Sequence, residues 1–486
     1  MTQKKRASSD AIWTAKDAQK ITNGSVNGDW TAYGISIDSR MVEEGDVFVA
    51  LQTEAADGHD YVLDALKKGA VAAIVSKVPA QCSEDTPLLV VEDTLKALEA
   101  LGQGARYRTS AKVIAVTGSV GKTGTKELLS AGLSPQGQTH ASIKSFNNHI
   151  GVPITLATMH AGSDYGVFEI GMNHPGEITP LSKQVKPDIA IITTVAPVHL
   201  EHFSEGIEGI AKAKSEIFAG MSAEGKAVVN CDMEMFSLVQ AQAKLSGVDL
   251  ITFGKDAQAE SRLLDCLVAA NGSRIRASIL GEEISYTLQW SGEHIAMNSI
   301  AVLTAIKLAG ADIVKAAKAM GMLMPPAGRG QREYLDIGDD ENPLTLINES
   351  YNASPTSMNA AFKVLALVDP GRGGRRIAIL GDMLELGNDA PKKHTDLALP
   401  LRTNDIDLVY TCGSLMKNLH KALPNDNKGA HCETSHELAE IVTDVLVPGD
   451  VVMVKGSLGS KMSVVVEALR ALPEKVKRKR KKKHVI

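Results

Sequence analysis

The chain has 486 residues, so at roughly 150 residues per domain it is expected to hold about three. Its 44% apolar and 22% charged residues are globular values that exclude wholesale disorder, and its five cysteines lack the spacing of a disulfide framework or a structural zinc site. The net charge of −5 includes eight positive charges between Lys475 and Lys483, leaving the remainder at −13; that run reads as a solvated, disordered tail, with contact to nucleic acid or anionic lipid as the alternative.

No apolar run follows Lys4, Lys5 and Arg6, and no stretch of about 18 apolar residues occurs elsewhere, so a soluble cytoplasmic protein without membrane insertion is expected. Residues 1–109 carry short strand-like runs, 47–51 and 72–75, with a helical stretch around 61–68, and read as a small α/β unit. From Lys112 the strands become wholly apolar, 113–116 and 189–192, and alternate with helical segments, which predicts a parallel sheet covered on both faces over 110–325.

Between the first of these strands and a helical pattern lies Thr117-Gly118-Ser119-Val120-Gly121-Lys122-Thr123. Backbone amides at the start of a helix converge on an anion, and glycines let it approach closely. Lys122 is placed to neutralise β and γ phosphates and the Thr123 hydroxyl to ligate Mg²⁺. Val116 stands where the usual eight-residue phosphate loop has its first glycine, so this loop is one residue tighter. Glu169, ending the run 165–168, is a candidate Mg²⁺ carboxylate at a strand end, with a solvated loop acid as the alternative. His199 follows the strand run 191–195 by a few residues and is a candidate ligand on the same crevice, although an isolated histidine is more often structural or at the surface. Lys214, in Ala211-Lys212-Ala213-Lys214-Ser215-Glu216, reads locally as a solvated helical position.

Met324-Pro325-Pro326-Ala327-Gly328 cannot continue a helix and marks the second boundary. Beyond it, strand candidates 376–380, 408–410 and 451–454 separated by helical stretches predict a doubly wound, Rossmann-like domain over 326–474, followed by the tail 475–486.

Taken together, the tight loop, Glu169, His199, Lys214, Asn298 and Arg329 resemble the Mur ligase family, ATP-dependent amide-forming enzymes of bacterial cell-wall synthesis, over almost the whole chain. Four strings, beginning at Asn147, Glu169, Ser350 and Leu380, are similar to the branch that adds D-alanyl-D-alanine to UDP-N-acetylmuramoyl-tripeptide. The resemblance implies three α/β domains: an N-terminal UDP-substrate domain, a central ATPase domain and a C-terminal Rossmann-like ligase domain. It implies ATP, two Mg²⁺ ions and an acyl-phosphate intermediate, with catalysis by Lys122, Glu169, His199 and Lys214. Lys214 would carry a CO₂-derived carbamate supporting the second metal, with Lys212 as the alternative in a shifted register. Asn298 would meet adenine, and Arg329 would reach ATP on domain closure.

By the same resemblance Ser39, Arg40, Asp57 and His59 lie around the uridine diphosphate, while Asn147, Asn148, Asn352, Lys455 and Lys461 serve substrate binding. For Arg40 a surface turn is the bland alternative. No nucleic-acid partner and a monomer are expected. The chain departs from the family pattern at Ile295, where asparagine is common, at Asn348, where aspartate is common, and at Leu458, where arginine is frequent; the last two weaken a ribose contact and a substrate contact.

Overall fold

The computed structural model describes residues 11–474 apart from positions 55, 144, 198 and 199. His199 and the basic tail lie outside the described residues. The elements gather into three main sheets, within 25–90, 112–288 and 331–455.

The first sheet runs in the order Ser25–Val26, Leu88–Val90, Ala72–Val75, Asp46–Val49, Gly34–Ser36, parallel except for its first strand. The expected runs 47–51 and 72–75 supply two of its inner strands, the former leaving the ladder at Val49. Helix Thr94–Tyr107 starts at Asp93, whose carboxylate accepts from the amides of Leu95 and Lys96. That helix packs on Gly151–Ala157, which belongs to the next unit, and Ile154 and Ala157 complete the N-terminal core. The Trp13 indole N–H donates to Ala157 O at 2.8 Å. The Arg108 guanidinium covers the Trp13 ring at 4.1 Å and donates to Met159 O. The two units therefore share one apolar core rather than touching through a polar seam.

The central sheet has nine strands, ordered Glu282–Leu288, Gly272–Ile279, Ser261–Ala269, Asp249–Gly254, Lys226–Asn230, Ile189–Ile192, Lys112–Thr117, Tyr165–Glu169, Thr139–Ala141. Side chains alternate across a strand. Ile114 and Val116 therefore join the core under helices Lys122–Leu133, Glu293–Leu308 and Ile313–Met320, while Val113 and Ala115 join the opposite core under Ile178–Val185, Gly206–Ser215 and Phe236–Leu245. A strand buried on both faces is apolar along most of its length, and that is why these runs stand out in the sequence.

The three strands from 261 to 288 pair antiparallel with one another and were not expected. Much of their length is buried on one side only, so charged residues such as Arg274, Arg276 and Glu283 interrupt the apolar signal. Strand Lys112–Thr117 lies between Tyr165–Glu169 on one side and Ile189–Ile192 on the other. The chain fills the former side before crossing to the latter, making the carboxyl end of this strand a topological switch point where a ligand crevice opens.

The third sheet runs Gln331–Leu335, Leu344–Glu349, Val451–Lys455, Arg376–Gly381, Leu408–Cys412, Lys428–Cys432, with only the first strand antiparallel. The three expected strands are present, and Leu344–Glu349, whose polar end obscured it, is added. The helix before the proline pair stops at Met320, and the chain turns at Gly328 and Gly330, both at positive φ.

Asp450 is fully buried and fastens this sheet at its amino-terminal end. It accepts the backbone N–H of Arg375 and of Val447, each at 2.9 Å, and the Arg375 guanidinium at 2.8 Å. Asp450→Ala would orphan those donors, and a loss of about 2–4 kcal/mol in urea-unfolding stability is expected; an unchanged unfolding midpoint would refute this role.

Candidate active site

The site is built around the turn from strand Lys112–Thr117 into helix Lys122–Leu133. Gly118 has φ 148° and Gly121 φ 91°. A Cβ at Gly118 would stand 1.9 Å from Thr193 Oγ1, and one at Gly121 2.4 Å from Asn298 Nδ2. Both backbone conformation and space thus demand glycine. The loop is tied to the segment after Ile189–Ile192: the Ser119 N–H donates to Thr194 O at 2.8 Å, the Ser119 hydroxyl donates to Ala196 O at 2.9 Å, and the Thr193 hydroxyl donates to Val120 O at 2.7 Å. Lys122 folds back over the turn and donates to Gly118 O at 2.7 Å. Although the residue is only half-buried, protein surrounds its ammonium; burial lowers its pKa, with Glu169 opposing and Arg329 assisting the shift.

Glu169 lies beside Val116 in the sheet register and is 1% exposed. The Asn147 amide donates to its Oε1 at 2.7 Å, but its Oε2 is buried without a partner among the described residues. A carboxylate oxygen removed from water and lacking a donor is suited to a cation. Together with the Thr123 hydroxyl at the head of the helix, this donor set fits Mg²⁺, whose other positions phosphate oxygens and water commonly fill. Among the described residues no cluster of three or more His, Cys, Asp or Glu forms a protein-only metal cage.

Lys214 corrects the local reading of the sequence. Far from being solvated, it is 2% exposed on the inner face of helix Gly206–Ser215. Its pKa lies well below the ordinary lysine value, first because of burial and then because of Lys122 nearby. Lys212 points to solvent and pairs with Glu205. The polar flanks of this segment hid a burial that only tertiary packing creates.

The residues expected near nucleotide also gather here. Asn298, on helix Glu293–Leu308, packs on Gly121. Arg329 lies 4.1 Å over the Tyr351 ring and donates to Ser145 Oγ at 3.4 Å. Tyr351 donates to the same oxygen at 3.0 Å, and Thr123 Oγ1 lies 3.2 Å from it. Ser145 and Tyr351 were not singled out as site residues. A serine in a loop carries no chemical signal of its own, and its partners are distant in sequence.

The expected substrate residues are more dispersed. Arg40 is 84% exposed at its side chain and forks onto Asp38, whose pKa is lowered to about 2 mainly by that hydrogen bond. Ser39 O accepts from Lys68 at 2.9 Å. His59 is turned inward: Nε2 accepts the Ser76 N–H at 2.9 Å, placing the ring proton on Nδ1 toward Asp57, 2.6 Å away. Lys77 also holds Asp57, and with His59 it keeps that carboxyl well below the usual range. Both nitrogens of His59 are occupied within the protein, and its ring holds the Asp57 turn.

Asn148 Oδ1 accepts from the amides of Ile150 and Gly151, opening helix Gly151–Ala157. Buried Lys455 pairs with Glu349 at 3.2 Å and donates to Asn352 O at 2.9 Å, while the Asn352 side chain and Lys461 are exposed. Ile295 packs on the central core, Asn348 Oδ1 accepts from the Ser350 hydroxyl at 2.7 Å, and Leu458 is exposed.

Comparison with known proteins gives three family matches in sequence: Mur ligase family, catalytic domain, at residues 31–115; Mur ligase middle domain at 116–306; and Mur ligase, glutamate ligase domain, at 335–458. The UDP-N-acetylmuramoyl-tripeptide--D-alanyl-D-alanine ligase of Rickettsia prowazekii is 33% identical, over 94% of this chain and 99% of that one. The crystal structure of MurF from Acinetobacter baumannii superposes with a TM-score of 0.82 at 28% identity, covering 94% of this chain and 98% of that one. MurF ligase from Thermotoga maritima in complex with ADP gives 0.74 at 25% identity, covering 91% and 98%.

Proposed function

The chain belongs to the Mur ligase family, and on that premise we propose that it joins D-alanyl-D-alanine to UDP-N-acetylmuramoyl-tripeptide in an ATP-dependent reaction, completing a peptidoglycan precursor. The observation that carries this reading is similarity to dipeptide-adding ligases along almost the entire length of both chains.

A free carboxylate is a poor acylating group, so ATP must first activate it. The terminal carboxylate oxygen of the tripeptide forms a bond to the γ phosphorus as the bond to the β-phosphate oxygen breaks, giving an acyl phosphate and ADP. The dipeptide nitrogen then bonds to the acyl carbon, inorganic phosphate leaves, and the nitrogen loses a proton. Both steps gather negative charge, so placement and electrostatics dominate. The loop amides of 118–123 and the helix start hold the phosphates, Lys122 offsets charge on the transferred group, and Arg329 approaches from the C-terminal unit. Thr123 and Glu169 would hold Mg²⁺, which when bound screens the phosphates and orients them. Asn147 keeps the Glu169 carboxylate aimed inward.

We assign a second Mg²⁺ to His199 and Lys214, the latter as a carbamate. The neutral amine is the form that reacts with carbon dioxide, releasing a proton and leaving an anion where a buried ammonium would repel metal. The low pKa of Lys214 supports this assignment. Lys214→Ala is expected to lose about 10²-fold or more in kcat, with partial recovery when a short carboxylic acid is added to occupy the vacated space. The same low activity with and without the acid would count against a carbamate.

The limits 1–109, 110–325 and 326–474 are proposed for the UDP-substrate, ATP and ligase domains, supported by each sheet falling within one of them. A cytoplasmic location fits two nucleotide substrates and five unpaired cysteines; no helix among the described residues is long and apolar enough to cross a membrane.

The reading is tested by phosphate release with ATP, UDP-N-acetylmuramoyl-tripeptide and D-alanyl-D-alanine, leaving out one at a time. Release should require all three. Equal release without the dipeptide would overturn the assignment, and a requirement for a single amino acid instead would move the chain to a neighbouring branch.

A further inference from the structure

Ser145 joins three groups that come from different parts of the chain. Its oxygen lies 3.0 Å from the Tyr351 hydroxyl, which donates to it, 3.4 Å from an Arg329 donor and 3.2 Å from Thr123 Oγ1. A serine hydroxyl has one proton to give and two lone pairs to receive. With Tyr351 and Arg329 as donors, both lone pairs are occupied, and the serine proton has Thr123 as its acceptor. Thr123 then retains one lone pair for a cation and its own proton for another acceptor. Arg329, stacked at 4.1 Å over the Tyr351 ring, is held in the same arrangement.

We infer that the Ser145 hydroxyl is a positioning group that sets the Thr123 hydroxyl in its metal-ligating orientation when Arg329 and Tyr351 of the C-terminal unit are in place. Docking of that unit is thereby transmitted to the phosphate site through a single oxygen. When Arg329 and Tyr351 withdraw, the lone pairs of Ser145 are released and its proton is no longer directed to Thr123. The phosphate loop then keeps its shape, which Gly118, Gly121 and Thr193 fix independently, but loses the preset hydroxyl. The inference rests on the ligase reading only for its kinetic consequence, because binding of magnesium nucleotide is measurable without the peptide substrates.

The test is calorimetric titration of the full-length protein with ATP, once with Mg²⁺ and once with a chelator, for wild type, Ser145→Ala, Ser145→Thr, Tyr351→Phe and the double variant Ser145→Ala/Tyr351→Phe. Ser145→Ala should weaken the magnesium-dependent affinity by roughly 5–10-fold while leaving the metal-free affinity unchanged. Ser145→Thr, which keeps the hydroxyl, should stay within about twofold of wild type. Tyr351→Phe should show a smaller loss of the same kind, and the double variant should match Ser145→Ala, because the tyrosine would act through the serine.

Equal losses with and without Mg²⁺ would reduce Ser145 to a packing role and overturn the inference. So would losses that multiply in the double variant, or an unaltered Tyr351→Phe protein. If wild type proves inactive in the three-substrate assay, the ligase reading falls, while the titration still decides the role of Ser145.

Discussion

Lys122→Met is expected to leave less than about a thousandth of wild-type kcat/KM in the three-substrate assay. Methionine preserves much of the unbranched stem and its packing, so the loop and helix Lys122–Leu133 remain folded. What disappears is the one ammonium that folds over the turn onto Gly118 O. A single preorganised donor to a developing oxyanion contributes roughly 10²–10³ in rate, and a full charge at a transferring phosphoryl group in a site partly removed from water contributes more. The loss should fall mainly on kcat, because the loop amides still bind the ground-state phosphates. Lys122→Arg should not rescue it, since a planar fork cannot reproduce the short contact of one ammonium with a backbone carbonyl. Activity within tenfold of wild type in either variant would show that the transferred phosphoryl group is stabilised elsewhere.

The second large effect is expected at Glu169. Glu169→Gln keeps the shape of the side chain and an oxygen to accept the Asn147 amide, but removes the negative charge at the buried Oε2 position. A neutral amide is a much weaker ligand for Mg²⁺ than a carboxylate. A fall of roughly 10²–10³ in kcat/KM is expected, only partly recovered at high Mg²⁺, with nucleotide binding in chelator unaffected. Full recovery at saturating Mg²⁺ would mean that Glu169 affects only metal affinity. Activity within threefold at ordinary Mg²⁺ would remove it from the metal site altogether.

Much of this architecture was legible because parallel strands covered on both faces are apolar over most of their length, with polar residues confined largely to their ends. Runs 113–116, 189–192, 376–380 and 451–454 therefore announced themselves, as did the glycines of the loop, whose backbone conformations leave little choice of residue. The antiparallel strands from 261 to 288 were invisible because a half-exposed face admits arginine and glutamate without cost. The local reading of Lys214 failed for a related reason, although the family resemblance had marked the residue: burial of a lysine is decided by what packs on its helix, and local composition pointed to solvent. Glu169 was visible as a strand-end acid, but its orientation depends on Asn147, which reaches it from a separate segment. The convergence of Thr123, Arg329 and Tyr351 on Ser145 depends on the placement of two sheets, which no local pattern encodes.

The core shared by the first two units also has a metric consequence. Trp13, Arg108, Ile154 and Ala157 lock the N-terminal sheet to the helix that follows Asn147 and Asn148, so the proposed uridine diphosphate anchor and the phosphate loop stand at a set separation. The peptide on the sugar must bridge that gap with its own length, and each residue supplies at most about 3.3–3.6 Å. With that proposed anchor, the fused core is expected to act as a calliper: a precursor one residue short should bind by its nucleotide end yet fail to bring its carboxylate to the γ phosphate, and inhibition without turnover by shortened precursors is the measurement that checks it.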